Sequence, residues 1–253
     1  MKILKQIILL FVFTHSYLFA QVESFEELYS KQDYMIEMRD GVMLCTVVYS
    51  PKDLSEQYPI LMTRTPYSSR PYEKDKYRNF PDYLVNEKFI FVYQDVRGKF
   101  MSEGEFIDMR PFIPNKIDYQ IDEASDTYDT IEWLINNIDN NNGNVGIYGI
   151  SYPGFYAAMS LNDSHPALKA VSPQAPIADW FVGDDMHHNG AFALSLSYVF
   201  FSSFGVERPN PTTEWNKRIV DLTGDSYNYF LDIGPLKNIN KKYFYNKISF
   251  WND

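Results

Sequence analysis

Cysteine is nearly absent from this sequence. Cys45 is the single one among 253 residues, so no intramolecular disulfide can form and stability must come from a packed core. Positive charge is in deficit: 23 Lys and Arg stand against 33 Asp and Glu, a net charge of −10. That balance lacks the basic footprint that phosphate backbones require, so no nucleic acid partner is expected. No apolar run reaches bilayer-spanning length, and residues 7–13 come nearest. Internal repeats and long low-complexity segments are missing too, which sets aside repeat arrays. Histidine is scarce, with four in the chain.

What is present is ordinary globular material. Hydrophobic residues make up 45% and charged residues 22%, enough to build a core without disorder. The length suits one domain, or one domain and part of another. Aromatics reach 17%, and such side chains supply much buried area. Cys45 lies in an apolar run and reads as a buried, inert thiol. At the N-terminus Lys2 and Lys5 precede the short apolar stretch, and Ala20 precedes Gln21. This pattern predicts an export signal over residues 1–20, with an uncleaved anchor as the competing reading. The expected location is periplasmic or extracellular, with no stable membrane association once the signal is removed.

Apolar patterning then sets out alternating elements. Residues 34–38 and 44–49 read as two strands around an Arg39-Asp40-Gly41 turn. Residues 59–63 and 89–93 read as buried strands, with a short helix over 80–85 between them. The clearest helix covers 122–137, where Tyr128, Ile131, Trp133, Leu134 and Ile135 form the apolar face. Asp122, Glu123, Asp126 and Asp129 in its early turns complement the helix dipole, a structural role and not a metal site. A turn over 139–144, a strand over 145–148, a helix over 153–161 and a strand over 168–172 follow. Strands alternating with helices imply an α/β fold, a mostly parallel sheet with helices on both faces. The leading hairpin adds an antiparallel edge. From about Ala178 the rhythm disappears, and Tyr, Phe, Asn and Pro become frequent.

One motif carries chemistry. Gly149-Ile150-Ser151-Tyr152-Pro153-Gly154 lies between an expected strand and an expected helix. There a sharp turn exposes a serine hydroxyl, and small flanking residues let the backbone approach closely. Pro153 suits a helix start, where a missing N–H costs little. Taken alone, the segment leaves a strand-to-helix turn without chemistry as the competing reading.

The chain resembles the cocaine-esterase-like (CocE/NonD) hydrolases, which include α-amino-acid ester hydrolases, acylases and X-prolyl dipeptidyl aminopeptidases. The likeness runs through Met38-Arg39-Asp40-Gly41-Val42, Thr63-Arg64-Thr65-Pro66-Tyr67, Gln94-Asp95-Val96-Arg97-Gly98 and Ser102-Glu103-Gly104. It continues through residues 128–134, the Ser151 segment, residues 165–169 and Gly183-Asp184-Asp185. The family's serine motif is G-x-S-Y-x-G, into which Pro153 fits. The resemblance implies an α/β-hydrolase fold and a serine hydrolase acting on acyl esters, amides or short peptides, with no cofactor.

It also implies roles. Ser151 would attack an acyl carbonyl and form an acyl-enzyme. The backbone N–H of Tyr152 and the hydroxyl of Tyr67 would hold the oxyanion. Without the resemblance, Tyr67 reads as a packed aromatic in a proline loop. Asp185 resembles one member of a carboxylate cluster that holds a substrate ammonium by charge-assisted hydrogen bonds. On its own it reads equally as an acidic loop or helix start. His187 and His188 read as structural, because neighbouring histidines diverge on a helix and no spaced ligand set accompanies them.

A triad of this fold runs Ser, Asp or Glu, then His along the chain. Only His165, His187 and His188 follow Ser151, all close to it. The expectation is therefore a signal over 1–20, the N-terminal part of a hydrolase domain over 21–177, and the start of an incomplete helical cap over 178–253. Such a fragment would carry the nucleophile without its base and would be inactive. The alternative is a catalytically dead exported binding module on the same fold.

Overall fold

The computed structural model describes residues 24–251, apart from Ala178, Trp180, Phe181, Asp184, Asp221, Thr223, Ser249 and Phe250. The expected export signal and Asp184 lie outside the described residues. In chain order the elements are α1 (Phe25–Leu28), β1 (Tyr29–Glu37), β2 (Met43–Pro51), β3 (Tyr58–Thr65), α2 (Asp82–Asn86) and β4 (Ile90–Asp95). They continue with α3 (Glu123–Asn137), β5 (Asn141–Ile150), α4 (Tyr152–Met159) and β6 (Leu168–Gln174). Last come β7 (His187–His188), β8 (Ala191–Phe192), α5 (Leu194–Phe204), α6 (Ser226–Ile233) and α7 (Asn238–Lys242).

β1 to β6 form one sheet in the order β1-β2-β4-β3-β5-β6. β1, β2 and β4 are antiparallel neighbours, while β4, β3, β5 and β6 run parallel. This is the expected α/β-hydrolase arrangement, hairpin edge included. Alternate residues of each strand face opposite sides. On one side Ile60, Met62, Val92, Val145 and Ile147 pack with Ile131 and Leu134 of α3. On the other, Val47, Tyr49 and Phe91 pack with Phe25, Phe80 and Leu84. Fully burying one such side chain is worth roughly 1.5–3 kcal/mol, so both layers hold the sheet. Beyond β6 the strand–helix alternation stops, and Tyr198, Ile233, Ile239, Phe244 and Ile248 bury one another in a separate cluster.

Two boundaries differ from expectation for the same reason. β1 begins at Tyr29, not at 34, and its polar Ser30-Lys31-Gln32-Asp33 segment pairs along the outer edge of the sheet. β5 begins at Asn141, inside the expected turn over 139–144, and Asn141 pairs with Tyr58. Its side-chain amide donates to Ile135 O (3.1 Å) and Ile138 O (2.6 Å), so it ties the strand to the end of α3. In both places exposure on one side removed the apolar alternation that marks a strand.

The acids of α3 are matched by arginines. Asp122 caps the helix, accepting from Ser125 N at 2.8 Å, and lies 2.9 Å from Lys116 Nζ. Arg97 donates to Asp126 (2.7 Å) and Asp40 (2.7 Å), Arg64 to Glu123 (3.1 Å), and Arg39 to Asp129 (2.7 Å). Arg64, Arg97, Glu123 and Asp126 are all buried. The network fixes α3 to the carboxyl ends of β3 and β4.

Candidate active site

The sheet's direction of winding sets the site. From β3 the chain steps outward to β4, then returns to the far side of β3 as β5. Ligand crevices in open α/β sheets form at such a reversal, at the carboxyl ends of the strands. Tyr67 follows β3 and Ser151 follows β5, so two adjacent parallel strands deliver them to one edge.

Ser151 occupies a strained turn, with φ 63° and ψ −125°. A non-glycine residue in that region costs on the order of 1–3 kcal/mol and persists only when its surroundings enforce it. Those surroundings are tight. A Cβ on Gly149 would lie 2.2 Å from Pro153 O, and one on Gly154 would lie 2.5 Å from Gln174 O. Ser151 N–H donates to Gln174 O at 3.0 Å and Phe155 N–H to Ser151 O at 3.1 Å, so the serine is bonded to β6 on one side and α4 on the other. Pro153 sits in the first turn of α4, as its missing N–H permits.

Tyr152 is the first residue of α4, and its N–H lies at the positive end of the helix dipole. Its side chain is fully buried, donating to Asp108 Oδ1 (2.7 Å) and accepting from Met109 N (2.7 Å). Tyr67 packs edge-on against the Tyr152 ring at 6.4 Å and in a tilted arrangement against Phe204 at 5.7 Å. Burial, with Asp108 and Asp185 nearby, pushes the Tyr67 phenol up to about 12, so it stays a proton donor at neutral pH. Asp95 holds the segment behind it, accepting from Ser69 N (2.5 Å), Tyr72 Oη (2.8 Å) and Met101 N (3.1 Å).

Ser151 opens onto a cleft of about 590 Å³ lined by Asp179, Val182, Asp185 and His188, among others. Asp185 is exposed in a loop that precedes β7. Of the residues singled out from sequence, Ser151 and Asp185 thus share one cleft, and Tyr67 lies within the field of Asp185. Two cleft residues escaped the sequence reading. Asp179 carried no motif. His188 was set aside on helical geometry, and the structure corrects that premise: His187 and His188 form a short strand, which turns His188 into the cleft while the His187 ring packs on Phe192. His165 is buried elsewhere, its Nε2 2.8 Å from Glu132 and its Nδ1 accepting from Ala167 N. No histidine is hydrogen-bonded to Ser151 among the described residues. Cys45 is buried, and burial pushes its thiol up to about 12, which keeps it from acting as a nucleophile.

Comparison with known proteins points one way. Residues 40–223 match the family described as X-Pro dipeptidyl-peptidase (S15 family). The cocaine esterase of Rhodococcus sp. (strain MB1 Bresler) is 32% identical over 155 residues, which are 58% of this chain and 24% of the esterase. An α-amino acid ester hydrolase of known structure is 34% identical with a TM-score of 0.75, over 89% of this chain and 37% of its own. An aminopeptidase from a marine sediment archaeon, Thaumarchaeota archaeon, gives the same identity, TM-score and coverages. The chain therefore spans about a quarter of the curated relative's length and 37% of each of these two structures.

Proposed function

The chain belongs to the X-Pro dipeptidyl-peptidase (S15) family of esterase and peptidase hydrolases, the cocaine-esterase-like group, and from that premise we propose that it supplies the nucleophile and oxyanion donors of a serine hydrolase. The observation that carries the reading is the backbone of Ser151, held at φ 63° between β5 and α4 at the mouth of a cleft. Strain of this kind is kept where it exposes a side chain for chemistry. Ser151 Oγ attacks the acyl carbonyl and the leaving group departs, giving an acyl-enzyme that water hydrolyses. The Tyr67 phenol and the Tyr152 N–H stabilise the oxyanion. Asp185, with Asp179 beside it in the cleft, selects an acyl group that carries a free ammonium. Substrates are small acyl esters, amides or short peptides, consistent with the names of the similar proteins.

A serine hydroxyl is a poor nucleophile until a positioned base takes its proton. Since no described histidine bonds Ser151, residues 1–253 alone are proposed to turn over slowly, with only the modest acceleration that binding and an oxyanion hole provide. The test is an activated amino-acid ester assayed beside Ser151→Ala, together with a fluorophosphonate probe. Slow, partial label on Ser151 is expected in the wild type and none in the variant. An unlabelled wild-type serine would sink the nucleophile role and leave a binding module. Export is inferred from Lys2, Lys5 and the apolar stretch after them. N-terminal sequencing of the fractionated product should begin near Gln21, and intact Met1 in the cytoplasm would contradict it.

A further inference from the structure

Most of the buried and half-buried cations among the described residues come with carboxylates, Arg78 over the Tyr93 ring aside. Arg64 meets Glu123 and Asp126, Arg97 meets Asp40 and Asp126, Lys116 meets Asp122 and Asp163, and Lys31 approaches Asp33. Lys99 departs from that pattern. It is 4% exposed, and no carboxylate lies within ion-pair distance of it among the described residues. Its ammonium has one hydrogen bond, to Phe204 O at 2.8 Å, and otherwise rests over the rings of Phe106 (3.8 Å) and Phe204 (4.1 Å).

Lys99 lines a cavity of about 190 Å³ with Tyr67, Phe100, Phe204, Arg208 and Trp215. Arg208 is a second cation without a carboxylate partner there. Its guanidinium lies 4.4 Å from the Phe100 ring centre, one nitrogen donates to the carbonyls of Thr212 and Glu214, and the buried Nε has no hydrogen-bond partner. A third cation, Arg70, stacks on Trp215 at 5.3 Å. No acid lines the cavity among the described residues. In a chain of net charge −10, such a positively charged aromatic chamber is out of keeping with the surface as a whole.

An unpaired ammonium out of water is costly, and an anion placed beside it with good geometry offsets much of that cost. The aromatic walls favour an apolar body on the anion. The volume falls below the roughly 300–1,000 Å³ of drug-sized sites, so the guest is a single ring or a short chain. We propose that this cavity is a binding site for a small carboxylic acid in its anionic form, with the carboxylate held by Lys99 and Arg208 and the apolar body among Phe100, Phe204 and Trp215. The site adjoins the Ser151 cleft at Tyr67, which lines it, but does not depend on acyl transfer at Ser151.

A further observation agrees. Burial without a counter-ion, with Arg208 adding to it and Asp108 opposing it, pushes the Lys99 ammonium down to about 7. An anion facing Lys99 raises that value again, so binding near pH 8 takes up a proton. The other charged or titratable groups around the cavity are Tyr67, protonated at that pH, the guanidinium of Arg70, and Asp95 and Tyr72, which act on Arg208.

The experiment is isothermal titration of the full chain with benzoate, and with benzyl alcohol as the uncharged ring, in two pH 8 buffers of different ionisation heat. Benzoate should bind at one site at least tenfold more tightly than benzyl alcohol, with net proton uptake. Lys99→Met should weaken benzoate tenfold or more and remove the proton uptake, while Ser151→Ala should leave both unchanged. Because Lys99 is buried, Arg208→Gln on a half-exposed residue provides the second arm and should also weaken benzoate. Absent benzoate binding, equal affinity for the two rings, or undiminished binding in Arg208→Gln and any folded Lys99→Met protein would overturn the site. Loss of the esterase assay with benzoate binding intact would count against the hydrolase reading alone.

Discussion

Replacing Asp126 by alanine tests whether charge pairing holds the α3 helix to the sheet. The carboxylate is fully buried and lies between two buried guanidiniums, 2.7 Å from Arg97 and 3.6 Å from Arg64. Its removal leaves Arg97 with Asp40 and Arg64 with Glu123, so neither cation is wholly uncompensated. Breaking a buried pair by deleting one partner costs about 3–5 kcal/mol. The surviving partners place this case at the low end, about 3 kcal/mol. With a urea m-value of roughly 2–3 kcal/mol per M, the unfolding midpoint should fall by about 1 M or more. Arg97→Met beside Asp126→Ala should cost less than the sum of the two, since the second change removes a charge that the first left exposed to repulsion. A loss under about 1 kcal/mol for Asp126→Ala, or strict additivity, would show that water reaches these groups and that the network contributes little.

Three further outcomes follow from the site. Asp185→Asn should raise KM for an amino-acid ester by tenfold or more while sparing an ester without an amine, on the scale of a charge-assisted hydrogen bond of roughly 1.5–3 kcal/mol; equal effects on both substrates remove the ammonium role. Gly154→Ala places a Cβ 2.5 Å from Gln174 O; it should cost about 1–3 kcal/mol and abolish fluorophosphonate labelling of Ser151, and a labelled, fully stable variant would refute the close-approach argument. Lys99, held near 7 against its usual 10.5, binds a proton less readily when folded. Stability should therefore rise with pH from about 7 towards 10.5 on its account. Lys99→Met should be more stable than the wild type at pH 7, with the difference shrinking by pH 9.5 in parallel urea titrations, and a constant difference would refute it.

The residues that made the chain legible are mostly not the ones that line the Ser151 cleft. Arg39, Asp40, Arg97 and Asp129 stood out as motif members, and the structure spends them on pairs that join the first hairpin and the β4 loop to α3. Gly98 reads the same way, because a Cβ there would lie 2.1 Å from Phe106 N. The Ser151 turn was readable because its requirements are local: a strand, two glycines and a helix-compatible proline. Tyr67 was not readable from local sequence, since its placement beside Ser151 depends on β3 and β5 being neighbours across more than eighty intervening residues. β1 and the start of β5 were shortened by a period-two rule that needs one buried face, which edge segments such as Ser30-Lys31-Gln32-Asp33 do not have. The position of His188 in the cleft was not legible because a two-residue strand, not a helix, presents it, and Lys99 was not because nothing in a sequence tells a buried lysine without a partner from a solvated one.

The distribution of charge around the Ser151 edge of the sheet ties these points together. Acids line the cleft in front of Ser151, at Asp179 and Asp185, whereas cations without carboxylate partners line the chamber at Lys99 and Arg208. Tyr67 belongs to the chamber wall yet feels the charge of Asp185. An uncharged phenol at that position is consistent with both neighbours, because burial holds its proton on over the whole neutral range. A carboxylate there would be repelled by the cleft, and an ammonium would be repelled by the chamber. Under the proposed function, tyrosine is thus a donor that can face an oxyanion between two fields of opposite sign without titrating in response to either. The proline loop after β3, pinned through Asp95 to Ser69, Tyr72 and Met101, keeps it there.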